Sequence, residues 1–353
     1  RVMRLSIGYQ LPDEDDSLVE IVRDYRESIA EVYFALPGHA SGRSPLGGAG
    51  GEGDPEARAI LMEELAAISE MGVELVLLLN AACYGEEAIS RAFAESIRKT
   101  LRDFLAELPL AAVTTTSPFV ARVIKEAFPE LETRASVNMR VGTVKGMQYL
   151  ADHFDGFCMQ REYNRDPDQI EELKAWCDAH GKRLYFLANS GCMRSCSWQS
   201  FHDNLVAHEA GASTRDNVPL GYPSPCWEFM ARRENWVAYL QNTWVRPEDL
   251  RHYERWFSLS KLATRMHSNP RRVVAAYARG RFHGNLLDLT EPSYAPLLRG
   301  YILDNQRFPD DWFERTASCD KACHRCAYCE SVLQQVLVSV EELLRGVQGG
   351  SRC

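Results

Sequence analysis

The sequence predicts an α/β protein folded as a (β/α)8 barrel of the TIM type. Three observations support this fold class. Short apolar segments alternate with segments of helical periodicity, eight apolar segments of this kind can be counted, and polar residues follow most of them. Strands that alternate with helices form parallel sheets, and eight such units close into a barrel rather than an open sheet.

The predicted elements follow one another in a regular order. The eight strands are expected at 3–9, 31–36, 73–79, 110–115, 131–137, 156–159, 182–188 and 256–262, where apolar residues are concentrated. Helices are expected at 17–28, 55–71, 86–107, 118–128, 144–153, 167–180 and 270–279, four of them with proline at the first position. A glycine-rich stretch at 38–53 predicts a mobile loop, and a long irregular insertion follows the seventh strand.

The chain is predicted to contain a barrel and an extension. The barrel occupies residues 1–288, including the cysteine-bearing insertion after strand seven, and the extension occupies residues 289–353. A length of 353 residues accommodates both, because barrels of this type need about 250 residues.

Composition restricts the partners and the compartment. The net charge is −9 and no block of lysine and arginine stands out, so an extended nucleic acid is not expected as an obligate partner. No apolar run approaches the roughly 20 residues of a membrane-spanning helix, so no membrane span is expected. Eleven cysteines in clusters indicate a reducing compartment and predict a cytoplasmic protein.

The first cysteine cluster lies in the extension. Cys319, Cys323, Cys326 and Cys329, here called the C-terminal quartet, fall within eleven residues. Consecutive C-x2-C steps are typical of a [4Fe-4S] cluster, whereas zinc sites usually separate two such steps widely. Zinc and disulfides remain alternatives, as does a cluster with one iron open to S-adenosylmethionine. With all four thiols as ligands, the cluster would carry electrons or hold the extension in place.

A second cysteine group predicts a second [4Fe-4S] cluster. Cys192 and Cys196 directly follow strand seven, and Cys226 lies in the same insertion. These three residues, here called the three mouth thiols, are therefore expected at the carboxyl ends of the strands, where barrel active sites lie. The fourth ligand stays open between Cys158, Cys83, a histidine at 202 or 208, and an open iron position.

Polar residues that follow the strands are the candidate site residues. Arg161, Arg265, Asn138 and Asn189 are predicted to bind substrate, and His202, Glu162 and Lys261 to act in catalysis. A planar guanidinium matches a carboxylate, so an acidic small molecule is the expected ligand. His202 is the expected proton donor. The alternative for Arg161, Glu162, Lys261 and Arg265 is a buried ion-pair network.

Four motifs resemble the peptidase U32 family. They are Asn189-Ser-Gly-Cys192 with Cys196 four residues on, Pro225-Cys226-Trp227, Arg246-Pro-Glu-Asp-Leu250, and Ser260-Lys261-Leu-Ala-Thr-Arg265. The resemblance implies that Cys192, Cys196 and Cys226 match cluster ligands. It also implies that some members hydroxylate RNA bases or quinone precursors without oxygen, that prephenate is an oxygen source for some, and that a related U32-type subunit can be a partner.

The chain departs from the family pattern in several places: its cysteine pair is more closely spaced, Arg251 stands where some members have a fourth cysteine, and the C-terminal quartet is an addition. The family's usual Glu-x-Phe-x-His-Gly run corresponds here to Leu184-Tyr-Phe-Leu-Ala-Asn189, which lacks the glutamate and the histidine. The predicted function is oxygen-independent hydroxylation, or a related redox modification, of a small molecule or nucleic acid, with an external electron donor. A U32-type peptidase and a noncatalytic iron–sulfur electron-transfer subunit are the alternatives. No Gly-x-Ser-x-Gly or His-Glu-x-x-His motif is present.

Overall fold

Eight parallel strands form one sheet that closes into a barrel. The computed structural model describes residues 3–12, 16–39, 41–42, 54–213 and 224–349. The strands are β1 Arg4–Gly8, β2 Ile29–Phe34, β3 Glu74–Leu79, β4 Ala112–Thr115, β5 Glu132–Ala135, β6 Gly156–Cys158, β7 Arg183–Tyr185 and β8 Leu259–Lys261. Their order is β7-β6-β5-β4-β3-β2-β1-β8.

The barrel closes between β7 and β8. The backbone N–H of Lys261 donates to the carbonyl oxygen of Phe186 at 3.1 Å, and the N–H of Ala188 donates to the carbonyl of Lys261 at 2.9 Å. The predicted barrel is therefore confirmed, with each strand inside or close to its predicted segment. Most of the predicted glycine-rich loop lies outside the described residues.

The helices around the barrel begin at capped positions. They are α1 Leu18–Asp24, α2 Pro55–Glu70, α3 Arg91–Glu107, α4 Pro118–Ala127, α5 Val144–Leu150, α6 Pro167–Ala179 and, after the insertion, α9 Pro270–Arg279. Ser117, Asp166 and Asn269 each precede a proline and accept a backbone N–H with their side chains. Such an N-cap with proline at the first helical position is a strong helix start signal, so these three starts coincide with the predicted ones.

Helices α1 and α3 differ most from their predicted bounds, for local reasons, and α5 ends at Leu150 rather than at residue 153. Helix α3 begins at Arg91 rather than at residue 86, because Ser90 is its N-cap and accepts the N–H of Phe93 at 3.0 Å. Helix α1 ends at Asp24, and the chain then turns, with the N–H of Ser28 donating to the carbonyl of Tyr25 at 2.9 Å.

The insertion and the extension form a second layer beside the barrel. The insertion contains α7 Gln199–Ser213, α8 Pro225–Met230 and two 3-10 segments, Arg233–Tyr239 and Pro247–Tyr253. The extension contains β9 Tyr301–Leu303, α10 Trp312–Ala317, α11 Tyr328–Val336, β10 Leu337–Ser339 and α12 Val340–Gly349, and β9 pairs with β10 antiparallel. In the part of the chain that is described, no helix has the length and apolarity needed to cross a membrane.

A buried arginine joins this layer to the barrel. Arg165, in the turn after β6, donates from Nη1 to the carbonyl of Leu240 at 2.7 Å and from Nη2 to that of Trp244 at 2.7 Å. Its guanidinium also lies 4.2 Å from the ring centroid of Trp244 and 5.3 Å from that of Trp312 in the extension. The extension thus packs on the turn that carries barrel-mouth residues.

The start of the extension lies along the barrel mouth. The N–H of Glu291 donates to the carbonyl of Asn189 at 3.1 Å, and the N–H of Gly191 donates to the carbonyl of Glu291 at 2.8 Å. Gly191 is in very close contact there, since a Cβ at this position would lie 2.0 Å from the carbonyl oxygen of Pro292. Only glycine permits this approach of two backbones.

Gly191→Ala is therefore expected to displace the segment around Pro292 and to destabilise the protein by about 1–3 kcal/mol, as overpacking does. Chemical denaturation measures the loss. Gly146→Ala in α5 is the matched control, because the nearest atom to its Cβ would be the Thr143 side-chain oxygen at 3.2 Å and alanine favours a helix. Equal unfolding midpoints for the two variants would contradict the close-contact argument.

Charged residues fill the barrel interior near the amino-terminal ends of the strands. Arg134 Nη1 donates to both carboxylate oxygens of Glu31 at 2.8 Å, and its Nε donates to Glu132 at 3.0 Å. The hydroxyls of Ser6 and Tyr185 donate to Glu31 and Glu132, each at 2.6 Å. Burial opposes the charge of Arg134, yet the neighbouring Glu31 raises its pKa above the usual arginine value. This network lies below the candidate site.

Candidate functional site

A pocket opens at the carboxyl-terminal face of the barrel, where the predicted site residues were expected. It encloses about 1290 Å³ of space, part of it open to solvent. Strand ends, the insertion and the start of the extension all contribute to its wall. Residues with polar, thiol or aromatic side chains in the lining include Tyr33, Asn80, Asn138, Arg161, Cys192, Cys196, Trp198, His202, Asp203, Cys226, Lys261, Arg265, Glu291 and Tyr294.

The three mouth thiols line this one pocket. Cys192 and Cys196 lie in the turn between the β7 exit and α7, and Cys226 is in the first turn of α8. The pKa of the Cys196 thiol is raised by burial and further by the neighbouring Cys226 and Cys192. The same neighbourhood, together with burial, raises the pKa of Tyr294 above its usual value. The insertion therefore brings together three thiols that are separated in sequence.

Hydrogen-bond donors converge on another part of the pocket wall. A Cβ at Gly42 would lie 3.5 Å from Nη2 of Arg265 and 3.6 Å from the Nδ2 atoms of Asn138 and Asn80. Three donors from different strand ends thus lie close to Gly42 in the pocket wall. The Gly42 N–H itself donates to the side-chain oxygen of Asn80 at 3.0 Å, which holds Gly42 against this wall.

Arg161 provides a further cationic group. It is the first residue of the 3-10 turn after β6, it is buried, and its Nη1 donates to the hydroxyl of Ser190 at 3.1 Å. Burial opposes its charge, but Cys192, Glu162 and Asp203 nearby raise its pKa above the usual value. A guanidinium held in place between thiols and an open pocket is suited to bind an anion.

Lys261 lies at the floor of the pocket. It ends β8, and its ammonium lies 4.1 Å from the ring centroid of Tyr33 on β2. Burial lowers the pKa of Lys261 to about 8. The nearby Arg265 also lowers this pKa, whereas Cys158 and Glu31 raise it. A smaller cavity beneath it is lined by Lys261, Cys158, Glu31 and Arg134 among others.

Helix α7 places His202 in the pocket and His208 away from it. His202 lines the pocket and stacks on Trp198, with ring centroids 4.8 Å apart and an interplanar angle of 16°. His208, six residues further along the helix, is exposed. The side-chain directions agree with the angular separation of residues six apart on a helix.

Two predicted site residues do not line the pocket. The side-chain nitrogen of Asn189 donates to the carbonyls of Ala263 and Leu289 at 3.1 and 2.9 Å, and its oxygen accepts the N–H of Ala263 at 2.6 Å. Asn189 thus ties β8 and the extension to the β7 exit. Glu162 is buried in the turn beside Arg161, outside the lining.

The candidate fourth ligands are distributed differently. Cys158 lies on β6 and lines the smaller cavity under Lys261, and burial raises its pKa. Cys83 is half-buried after β3. Neither residue is in the lining of the mouth pocket, whereas His202 is.

The C-terminal quartet is gathered on the loop before α11 and the first turn of that helix. Burial raises the pKa of Cys329 to about 11, with Arg165 opposing the effect and Cys323, Cys319 and Cys326 adding to it. The Cys323 thiol also has Arg194 as an electrostatic neighbour. Since Arg194 lies between Cys192 and Cys196 in sequence, the quartet lies beside the turn that carries two mouth thiols.

The donor chemistry of both thiol groups fits iron–sulfur clusters. Among the described residues, no three or more His, Cys, Asp or Glu side chains are arranged around a single point as ligands of one ion. A cubane cluster differs from a single ion, because its thiolates bind different irons and lie farther apart. Two groups composed of cysteine match that ligand type, with three thiols in one group and four in the other.

Several pocket residues were missed in the sequence. Tyr33 lies within a predicted strand, and the alternation of inward and outward residues could have indicated it. Trp198 and Asp203 lie in the insertion, close to the cysteines. Glu291 and Tyr294 gave no local signal, because they reach the pocket only through the pairing of the extension with the β7 exit.

Comparisons with known proteins agree with this architecture. No protein-family model matches the chain. A protein of Methanocaldococcus jannaschii named as an uncharacterized protease is 23% identical over 332 residues, covering 92% of this chain and 94% of that protein. A solved U32 peptidase structure is similar with a TM-score of 0.53 at 14% identity, covering 74% of this chain and 92% of that one.

The predicted resemblance to the peptidase U32 family is confirmed by these two proteins together. The solved structure shows that the fold is shared. A Rhizomucor miehei mannosidase of glycoside hydrolase family 5 is a more distant neighbour, with a TM-score of 0.43 at 10% identity over 74% of this chain and 80% of that one. That likeness carries no argument about the site.

Proposed function

We propose that this chain is a U32-type iron–sulfur enzyme that hydroxylates a small acidic substrate without molecular oxygen, or modifies it by a related redox reaction. One observation carries the proposal: three thiols, two arginines and a lysine line a single pocket at the carboxyl-terminal face of the barrel. Barrel enzymes place their chemistry at this face. Thiolates bind iron, and guanidinium groups bind carboxylates.

Cys192, Cys196 and Cys226 are the residues that would hold the mouth cluster. When bound, such a cluster supplies one-electron redox chemistry. Its fourth ligand stays open, and His202 is the candidate that shares the pocket lining with the three thiols.

The other pocket residues bind and orient the substrate. Arg265, Asn138 and Asn80 have side-chain nitrogens in the pocket lining, close to Gly42, and would donate hydrogen bonds to a substrate carboxylate. Arg161 adds a second positive charge near Cys192. If His202 is not the fourth cluster ligand, it would hold a proton for an oxygen of the bound substrate, a role supported by its stacking on Trp198 within the pocket lining.

The C-terminal quartet is the proposed second cluster site. Arg194, which lies between Cys192 and Cys196 in sequence, is close enough to Cys323 to act on it electrostatically, so a cluster held by the quartet would be near the mouth and would supply one-electron chemistry there. An external one-electron donor and a related U32-type subunit are the proposed partners.

Peptide hydrolysis is the second candidate function, because the Methanocaldococcus jannaschii relative is named a protease. A peptidase needs an activated nucleophile or a metal-bound water. The two functions predict different ligands for the pocket, an acidic small molecule in one case and an extended peptide in the other. Incubation with unstructured peptides, followed by mass spectrometry of the products, tests the second candidate directly.

Arg265→Lys tests the acidic-substrate proposal. Lysine keeps the charge but loses the planar fork, so the affinity for prephenate and other dicarboxylates is expected to fall by about 1–3 kcal/mol, as for a charge-assisted hydrogen bond. Calorimetric titration of anaerobically purified protein measures this loss, and iron content is determined on the same samples.

Arg272→Lys is the matched control, because Arg272 lies on α9 outside the pocket and pairs with Asp288 at 3.1 Å. It should bind like the parent. Unchanged affinity in Arg265→Lys, or no dicarboxylate binding by the parent, would argue against the proposed substrate class. Cleavage of peptides that Cys226→Ser abolishes would favour the peptidase.

A further inference from the structure

Lys261 differs from the other lysines whose contacts the structure describes because it lines a pocket and makes no ion pair; Lys145, which also contacts a tyrosine ring, is exposed. Lys99, Lys125 and Lys174 form ion pairs with Asp103, Asp155 and Asp178, and Lys182 donates to the carbonyls of Ala151 and Phe154 at 2.7 and 2.8 Å. Within the described chain the ammonium of Lys261 makes no ion pair and contacts the ring of Tyr33 at 4.1 Å.

The position of Lys261 gives its amine access to a ligand. The residue keeps part of its surface open and lines the floor of the mouth pocket, and Arg265 and Ala263 follow it along the same wall. The amine lies deep enough for burial to lower the pKa of Lys261 to about 8. A lysine amine removed from water beside another cation is the environment in which lysine acts as a nucleophile toward carbonyl carbon.

The hydrogen-bond donors near Lys261 indicate which class of carbonyl compound the pocket would bind. Arg265, Asn138 and Asn80 line the same pocket as Lys261 and provide hydrogen-bond donors for a carboxylate, and Lys261 is four residues before Arg265 in the sequence. A ligand with a carboxylate next to a ketone can contact both groups. A 2-oxo acid has this arrangement, whereas a simple dicarboxylate offers no electrophilic carbon of this kind.

We propose that Lys261 forms an imine with the ketone carbon of a 2-oxo acid whose carboxylate is bound by the Arg265 side of the pocket. The neutral amine attacks the ketone carbon and forms a C–N bond. The ketone oxygen then leaves as water with two protons, and no oxidant or reductant is needed. The inference rests on the proposed function only for the anion-binding pocket and does not require a bound cluster.

Reductive trapping with pyruvate tests this inference. The whole protein is incubated with pyruvate and sodium cyanoborohydride, which donates hydride to the imine carbon and leaves a stable secondary amine on the lysine. Peptide mapping by mass spectrometry then gives the rate of modification at each lysine. Lys261 is expected to be modified at least about tenfold faster than exposed Lys99, because a lower lysine pKa increases the neutral amine fraction at neutral pH.

Three controls make the assignment specific. Lactate, which has the carboxylate but no ketone, should protect Lys261 by competition. Lys261→Arg keeps the charge, removes the primary amine and should lose the rapid modification, whereas Lys182→Arg should retain it. Because the mapping is also done on the parent protein, the test does not depend on whether a variant folds.

The outcomes separate this inference from the proposed function. Calorimetric binding of pyruvate without faster modification of Lys261 would overturn the imine and leave the anion-binding pocket intact. Modification of Lys261 no faster than that of Lys99, or unaffected by lactate, would also overturn the imine. Absence of both binding and modification would count against the imine and the acidic-substrate proposal together.

Discussion

Cys226→Ser is expected to abolish the mouth cluster, whereas Cys326→Ser is expected to remove only the cluster of the C-terminal quartet. Cys226 lines the pocket with Cys192 and Cys196, and loss of one thiolate from a group of three leaves too few ligands. Cys326 belongs to the separate group around α11. The parent protein should contain about eight irons and eight sulfides, the sum of two four-iron clusters, and each variant about four.

Anaerobic purification with iron and sulfide quantification and electron paramagnetic resonance measures these contents. Substrate binding should be retained in Cys326→Ser and measured by the same calorimetric titration. Cys177→Ala is the control, because Cys177 is buried in α6 against Met147 and belongs to neither group. Stoichiometric zinc without visible absorption, or the same iron content in all three variants, would contradict two separate iron–sulfur sites.

The barrel could be predicted because its signals are local. Each strand is a short apolar run, and helix starts such as Ser117-Pro118 and Asn269-Pro270 combine a capping side chain with a proline. The location of the pocket then followed from the fold class, because the strand ends of a barrel meet at one face. Arg161, Asn138 and Arg265 reach the pocket for this reason.

The site residues that could not be predicted from the sequence depend on contacts between distant segments of the chain. Glu291 reaches the pocket through backbone pairing with Asn189, about one hundred residues away, and no local pattern specifies such pairing. Asn189 was predicted to bind substrate, but its side-chain amide instead donates to the backbone carbonyls of Ala263 and Leu289. These contacts also join distant segments. A polar residue after a strand can bind a substrate, or it can form hydrogen bonds with buried backbone N–H and C=O groups. The sequence pattern is the same in both cases.

Arg134→Met is expected to lower the free energy of unfolding by about 3–5 kcal/mol, the range for breaking a buried ion pair from one side. Arg134 has 7% of its side-chain surface exposed and Glu31 has 4%, so the Glu31 carboxylate would remain buried without its cation, whereas Glu132 would keep Arg183. Chemical denaturation measures the loss. Because Arg134 and Glu31 share the small cavity beneath Lys261, the readout for this variant is its stability and not its ligand affinity.

Arg183→Met is the matched control, because Arg183 binds the same Glu132 carboxylate at 2.8 Å from a side chain that is 68% exposed. An exposed pair of this kind contributes about 0–1 kcal/mol. The double variant Glu31→Gln with Arg134→Met should recover part of the lost stability, since one uncompensated charge is removed along with the arginine. Equal losses in Arg134→Met and Arg183→Met would show that burial does not set the strength of this network, and no recovery in the double variant would show that the Glu31 charge is not the cause.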